Sequence, residues 1–429
     1  MKRAFAILLF PLLVFSKSAG ATGGSTKYLN GFWLQNSSFV RTEKIVRNGR
    51  FSVEGNEQID NVVDLKGGYV IPSLGEAHNH NLQNCHLVPD FAKAYVEQGI
   101  LYSAQLFATD PALASCKSLF GKAAVPSVAF ARIGVTSSTG HPIGFARDSA
   151  RAANLDLSFD QITSGMLIAD SRRELEEKWA ALPDKRTDFV KVILIDAVNS
   201  ARNFLDPSLN GYNGVTPEVL RAVVRQAHES NLRVIAHVDT AEDFAFAVDA
   251  GVDTIGHLPG YRIEEGKRIE DYRLSEVTVS LAARRNIAVI PTMAAASYYL
   301  QVHPEATGDI RDNYMRNLKL LKRFKVTVLT GSDRFEGSVI DEIRALATTG
   351  LFTPMQLIEM SAVASPRWMF PNRKVGCLEN GCEATFNVYD RNPSLYVRIL
   401  ANPQIVVRMG DALKNIRLKR RTRVDAQKP

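Results

Sequence analysis

The chain has 429 residues, of which 45% are hydrophobic and 23% charged, with a formal charge of +7. That length exceeds most single cores and suits one large domain plus a smaller one, and a mean hydropathy of −0.09 is ordinary for a soluble globular protein. Three of the cations, Lys2, Arg3 and Lys17, lie in an apparent leader, leaving about +4, and much of the rest sits in Lys414–Arg423. A solvated terminal strand or tail is therefore expected there, with contact to an anionic membrane left open and nucleic-acid binding not expected.

Taken in chain order, Lys2-Arg3, the apolar run Ala4–Phe15 and Ala19-Gly20-Ala21 read as the charged region, core and cleavage site of a signal peptide over residues 1–21. The apolar run is shorter than the roughly 20 residues a stable bilayer-spanning helix needs. The mature protein is expected to be periplasmic or secreted, with no stable membrane anchor after cleavage. Tyr28–Val70 alternates apolar and polar residues around Asn30-Gly31 and Asn48-Gly49, which predicts short antiparallel strands. Thr385–Val424 has the same texture.

Between these flanks, short apolar runs alternate with amphipathic stretches. Candidate strands are Tyr69–His78, Ile100–Phe107, Ser127–Val135, Phe189–Ile195, Arg233–His237, Thr254–His257, Ala288–Pro291 and Thr327–Leu329; candidate helices include Pro217–Glu229, Ala241–Ala250, Leu274–Arg285 and Arg311–Phe324. Repeated β–α alternation predicts a parallel sheet, and eight such units predict an α/β fold of the (β/α)8 barrel type over 71–374. A doubly wound open sheet is the alternative, but no Gly-rich phosphate-binding fingerprint follows the first strand. Residues 22–70 and 375–429 would form a small composite β-sandwich.

Four cysteines suit an oxidising compartment. Cys377 and Cys382 bracket a turn, and Cys85 and Cys116 would follow neighbouring strands, so two bridges are plausible among three connectivities.

Chemistry-bearing residues recur at the strand ends. His78 and His80 end the first strand two residues apart, on one face, a spacing that suits chelation of one divalent cation. Lys191 lies inside an apolar strand, His237 and His257 close two others, and Asp333 follows the last. Each alone has a structural explanation as a hydrogen-bonded histidine, a snorkelling lysine or a helix-capping aspartate. Together they argue for one site at the C-terminal rim.

The order His-x-His, Lys, His, His, Asp at strands one, four, five, six and eight resembles the metal-dependent amidohydrolase superfamily. Pro72–His80, Gly251–His257 and Leu329–Asp333 look most like its imidazolonepropionase-like and prolidase-like branch. Pro72-Ser-Leu-Gly-Glu-Ala77 departs from that family's usual Pro-Gly-[Leu/Phe]-Ile-Asp but leaves the histidine pair intact, and Thr385 replaces a structural Asp.

The resemblance implies a distorted barrel, a small sandwich from both chain ends, and a site for one or two divalent ions, zinc foremost. His78, His80 and Asp333 would hold one ion and His237 and His257 the other, bridged by hydroxide and a carboxylated Lys191. Asp333 would carry the proton from the attacking hydroxide to the leaving nitrogen.

His141, in Gly140-His-Pro-Ile-Gly144, is expected to steady the oxyanion or bind the substrate carbonyl. Tyr261 is expected to reach the pocket, and Arg334 to pair with a substrate carboxylate or within the fold. The expected activity is hydrolysis of a C–N bond in a small molecule, a dipeptide or a cyclic amide. Ester, lactone or phosphoester hydrolysis and a non-catalytic binding role are the alternatives, and a homo-oligomer is compatible with all of them.

Overall fold

The computed structural model of the chain describes residues 24–415 except 54, 56, 57, 84 and 183–185. The expected leader 1–21 and the basic stretch beyond Asn415 lie outside the described residues.

Both flanks enter one eight-stranded sheet. Its order runs Asp411–Asn415, Ile405–Arg408, Phe386–Tyr389, Tyr69–Pro72, Ser25–Gln35, Ser38–Arg47, Arg50–Ser52, with Asn61–Asp64 also pairing to Ser25–Gln35. Tyr69–Pro72 is the junction, parallel to Ser25–Gln35 and antiparallel to Phe386–Tyr389. The rings of Tyr28, Trp33, Phe51 and Phe386 pack against one another beneath it, Tyr28 to Phe386 at 5.2 Å between centroids. Asn48-Gly49 makes the expected turn, but Asn30-Gly31 does not. Asn30, at φ 58°, sits at a register shift inside the first strand, and the hairpin turns instead at Asn36 and Ser37, both at positive φ.

The central region is α/β and parallel, drawn as two sheets rather than one ladder of eight strands. Leu74–Asn79, Ile100–Gln105 and Ser127–Phe130 form one sheet. Leu167–Ile168, Ile133–Thr136, Phe189–Ile193, Arg233–His237, Thr254–Gly256 and Ala288–Ile290 form the other. The expected strand Ser127–Val135 breaks at Ala131-Arg132 and gives one half to each sheet, so the chain itself joins them. The Asp188 amide also donates to the Phe130 carbonyl at 3.0 Å across this seam. At the opposite edges, Thr327–Leu329 is a single parallel bridge at Val328 to Val289, and the Ala77 amide donates to the Thr330 carbonyl at 2.9 Å. Tyr69–His78 likewise splits, Tyr69–Pro72 joining the flank sheet and Leu74–Asn79 the parallel one.

Local chemistry explains the intervening helices. Thr216 caps Pro217–Glu229 by accepting from the Val219 amide, and Pro217 stands where a missing N–H is harmless. Val219, Leu220, Val223, Val224 and Ala227 bury one face at helical spacing. Thr240 and Asp243 form a reciprocal capping box for Ala241–Ala250, which ends at Gly251 with φ +81°. These faces pack into one continuous core that includes Val192, Val234, Ile255 and Val289 from the strands. Each fully buried side chain of this size contributes roughly 1.5–3 kcal/mol.

The disulfides are Cys85–Cys116, between the loops after the first two parallel strands, and Cys377–Cys382. Among the described residues no helix is long and apolar enough to cross a membrane.

Candidate metal centre

The strand ends meet in a cavity of about 510 Å³ lined by His78, His80, His141, Lys191, His237, His257, Tyr261 and Asp333. All eight were expected near the site from sequence. His78, His257 and Asp333 each offer a ligand atom, and the three atoms lie within 4.8 Å of one another. Asp333 Oδ1 is 3.2 Å from His80 Nε2 and 3.6 Å from His78 Nε2, while Oδ2 is 3.7 Å from His257 Nε2. The carboxylate thus sits among three imidazoles. Burial alone would raise its pKa, but the His80 hydrogen bond and the neighbouring positive groups outweigh burial and hold it below the usual carboxylate range.

Two glycines permit this convergence. A Cβ at Gly331 would stand 2.4 Å from the His78 amide nitrogen and 2.7 Å from its Cβ. Without one, the Asp333 amide reaches the His78 carbonyl at 3.0 Å. A Cβ at Gly256 would press within 3.0 Å of the His78 ring and 3.4 Å of Lys191 Nζ. Non-glycine residues in the left-handed region gather at the same rim, with Phe107, Asp196, His257, Thr292 and Asp333 at φ 65°, 46°, 88°, 49° and 48°. Each such turn costs about 1–3 kcal/mol and persists only where the surroundings enforce it.

Hydrogen bonds select the ring nitrogens. Thr292 gives its single hydroxyl proton to the Pro291 carbonyl at 2.8 Å and contacts His257 Nδ1 at 2.7 Å. Nδ1 must therefore carry the hydrogen, leaving Nε2 unprotonated toward Asp333. His237 Nε2 faces the buried Asp239 carboxylate at 3.1 Å, which leaves Nδ1 as its lone-pair nitrogen. Asp239 also accepts from Tyr261 Oη at 2.6 Å and Arg262 Nη2 at 2.7 Å. Burial raises the Asp239 carboxyl, yet Arg262 and then His237 outweigh it and hold it well below its ordinary value.

The donor set fits a divalent cation. His78 Nδ1 and Lys191 Nζ are buried without a hydrogen-bond partner, and burial pushes the His78 and His257 imidazoles well below their ordinary pKa. Neutral imidazoles around an ionised carboxylate are the form in which these groups ligate. Burial also lowers Lys191 to about 8, Asp333 opposing the shift. His78 and His257 both face the Asp333 carboxylate, one from each of the two expected ligand sets.

A model of the amidohydrolase family matches residues 127–413. The chain belongs to the amidohydrolase family. Members are generally metal-dependent, which agrees with the His-His-Asp group. An uncharacterized protein of Mycobacterium tuberculosis is 24% identical over 206 residues, covering 45% of this chain and 51% of its own length, so the chain spans about half the length of that relative. Ochratoxinase of Aspergillus niger is 22% identical over 193 residues, 44% of this chain and 39% of its own. A solved Xaa-Pro dipeptidase with methionine in its active site superposes with a TM-score of 0.70 at 18% identity, covering 91% of this chain and 100% of its own. The solved A. niger ochratoxinase gives 0.70 at 16% identity, covering 91% and 96%.

In this amidohydrolase Arg334 does not line the metal cavity. Its guanidinium lies 5.0 Å over the Tyr298 ring, at the edge of a neighbouring cavity with Asp341 and Tyr314. Arg262 lines the metal cavity instead. Sequence reasoning also missed Asp239, Thr292 and the aromatic wall of Phe145, Tyr298 and Phe335. Asp239 repeats the two-residue spacing of the first histidine pair; nothing in the sequence marks the aromatics.

Proposed function

We propose that this amidohydrolase is an exported hydrolase of C–N bonds in small amides or dipeptides, using one or two zinc ions. The observation that carries the reading is the Asp333 carboxylate held among the Nε2 atoms of His78, His80 and His257. His78, His80 and Asp333 would hold one ion and His237 and His257 the other, with Lys191 carboxylated between them. A pKa near 8 leaves part of Lys191 as the free amine, the form that takes up carbon dioxide. When bound, the ions supply Lewis acidity toward the amide carbonyl and acidify water.

Asp333 takes the proton from the attacking water and returns it to the leaving nitrogen, its low pKa keeping it ionised before attack. His141, pushed down to about 3 chiefly by burial, stays neutral and donates to the carbonyl oxygen as charge develops there. Tyr261 and Arg262 are anchored on Asp239, and Arg262 lines the cavity, where its guanidinium would meet a substrate carboxylate.

The same reading takes the two parallel sheets as one closed (β/α)8 barrel over 71–374, supported by the backbone hydrogen bonds at both seams, with the flank sheet as a second small domain. Two disulfides support an oxidising, periplasmic or extracellular location.

The test joins elemental analysis of the native and His78→Ala proteins to a screen of dipeptides, N-acyl amino acids, lactams and esters. Asp333→Asn is expected to lower amide turnover by at least roughly 10²-fold, and an activated ester, whose leaving group needs little protonation, by less. Comparable amide rates for Asp333→Asn and the native enzyme would refute the mechanism.

A further inference from the structure

One wall of the cavity is not used by this chemistry. Phe145 and Phe335 stack across the mouth with ring centroids 5.7 Å apart and planes 12° from parallel. Both are large apolar side chains left 48% and 44% exposed, and both line the cavity. Their positions are tied to the chemistry, because Phe145 stands four residues after His141 and Phe335 two after Asp333. Phe335 also lies 6.2 Å from the His80 ring. The Tyr298 hydroxyl donates to the Phe335 carbonyl at 2.6 Å, which holds that segment against the mouth. Phe107, Pro142 and Ile193 add further apolar lining to the same cavity as the histidines.

Exposed aromatic faces over a cavity are unfavourable in water unless something covers them. An apolar covering group matches the wall, and a planar one lies flat against an outward ring face of the stacked pair. It must also reach the histidines, since the rings are carried on the segments that carry His141 and Asp333.

We propose that Phe145 and Phe335 form a specificity subsite for a planar aromatic group joined to the scissile amide. The inference rests on the hydrolase reading given above and deepens it by naming the substrate class. Amides bearing an aryl or arylalkyl group are selected over equally charged aliphatic ones. Arg262, lining the same cavity, takes the polar end of such a substrate, so the cavity reads a molecule with one flat apolar end and one anionic end.

The test has two arms, both on the full-length, metal-loaded protein. In the first, calorimetry compares binding of 3-phenylpropanoate and propanoate, which share a carboxylate and differ by the ring. The native protein is expected to bind the aromatic acid about tenfold more tightly, from the usual strength of a ring–ring contact. Phe335→Ala and Phe145→Ala should each reduce that ratio to below about threefold, and Phe335→Leu should fall between.

In the second arm, kcat/KM is compared for N-(3-phenylpropanoyl)- and N-propanoyl-glycine. Their ratio should fall by more than about threefold in the two alanine variants, mainly through KM. Phe159→Ala, an exposed phenylalanine outside the cavity, is the control and should leave both ratios as in the native protein. Equal affinity of the native protein for the two acids, or ratios unchanged in the Phe145 and Phe335 variants, would overturn the subsite. If no amide is hydrolysed while the aromatic preference in binding is present and lost in the variants, the hydrolase reading fails and the subsite stands.

Discussion

Replacing Thr292 by valine isolates a single hydrogen bond behind the site. Valine keeps the β-branched shape, so the cost of the φ 49° conformation at this position is carried over unchanged. What is lost is the oxygen that accepts from His257 Nδ1 at 2.7 Å and donates to the Pro291 carbonyl at 2.8 Å. The Nδ1 hydrogen then faces a methyl group in a buried site, at a cost of about 1–3 kcal/mol. The ring can recover a partner only by shifting its hydrogen to Nε2, which removes the lone pair directed at Asp333. Either outcome weakens metal binding by about 10- to 100-fold, the usual effect of losing a partner behind a ligating histidine. Competition for zinc against a chromophoric chelator measures this directly. Thr292→Ser restores the hydroxyl and should bring affinity back to within about threefold of native, since the same oxygen is present. Affinity of Thr292→Val within twofold of native would refute the claim that Thr292 sets the His257 tautomer.

Lys191→Ala should abolish amide hydrolysis and recover part of it when short carboxylic acids are added, because such an acid refills the anionic position; a fully active variant would contradict the bridging role. Gly331→Ala drives a methyl group into the His78 backbone, and overpacking of this kind costs about 1–3 kcal/mol. A lowered urea midpoint together with reduced zinc affinity is the expected pair of readouts. Glu342 is buried beneath the Ala294 amide, and burial raises its carboxyl to about 8. Between the unfolded value near 4.5 and about 8 the folded chain holds a proton the unfolded chain has lost, so stability falls as pH rises through that window and is level above it. Urea midpoints measured against pH should fall less steeply over this window in Glu342→Gln than in the native protein, where the buried Glu76 and Glu264 carboxyls are also raised to about 8.

The histidines were legible in the sequence because two independent patterns coincide at each. An apolar run ends, and a side chain able to ligate a metal stands at or just past the end. Where a residue acts through a fold-dependent partner, the pattern is silent. Asp239 matters because Tyr261 and Arg262 fold back onto it, and no spacing in the chain announces that contact. Arg334 was placed by its adjacency to Asp333, but the left-handed turn at Asp333 sends the next side chain away, onto Tyr298. The broken third strand was read as continuous because Ser127–Val135 is apolar nearly throughout. A change of pairing partner halfway along leaves the hydrophobic pattern intact. Asn30-Gly31 carries a sound hairpin signal, but the same positive-φ preference serves a bulge equally well.

The strand Tyr69–Pro72 has a consequence for how the molecule comes into being. It is zipped to Phe386–Tyr389, and just beyond it Ser73 Oγ meets the Asn387 side chain across 314 residues of chain. Only a few residues further on, the same stretch of backbone becomes the strand that ends at His78 and His80. Contacts of such long range close late, because a large loop must be ordered before any of them forms. A chain emerging from the ribosome therefore carries His78 and His80, the proposed metal ligands, for most of its synthesis without the strand that anchors them. Ion capture before completion would have to occur on an unanchored histidine pair. Assembly of the site is thus timed to the arrival of the C-terminal strands, and a truncation ahead of Phe386 should leave a chain that neither folds cooperatively nor takes up zinc in the competition assay.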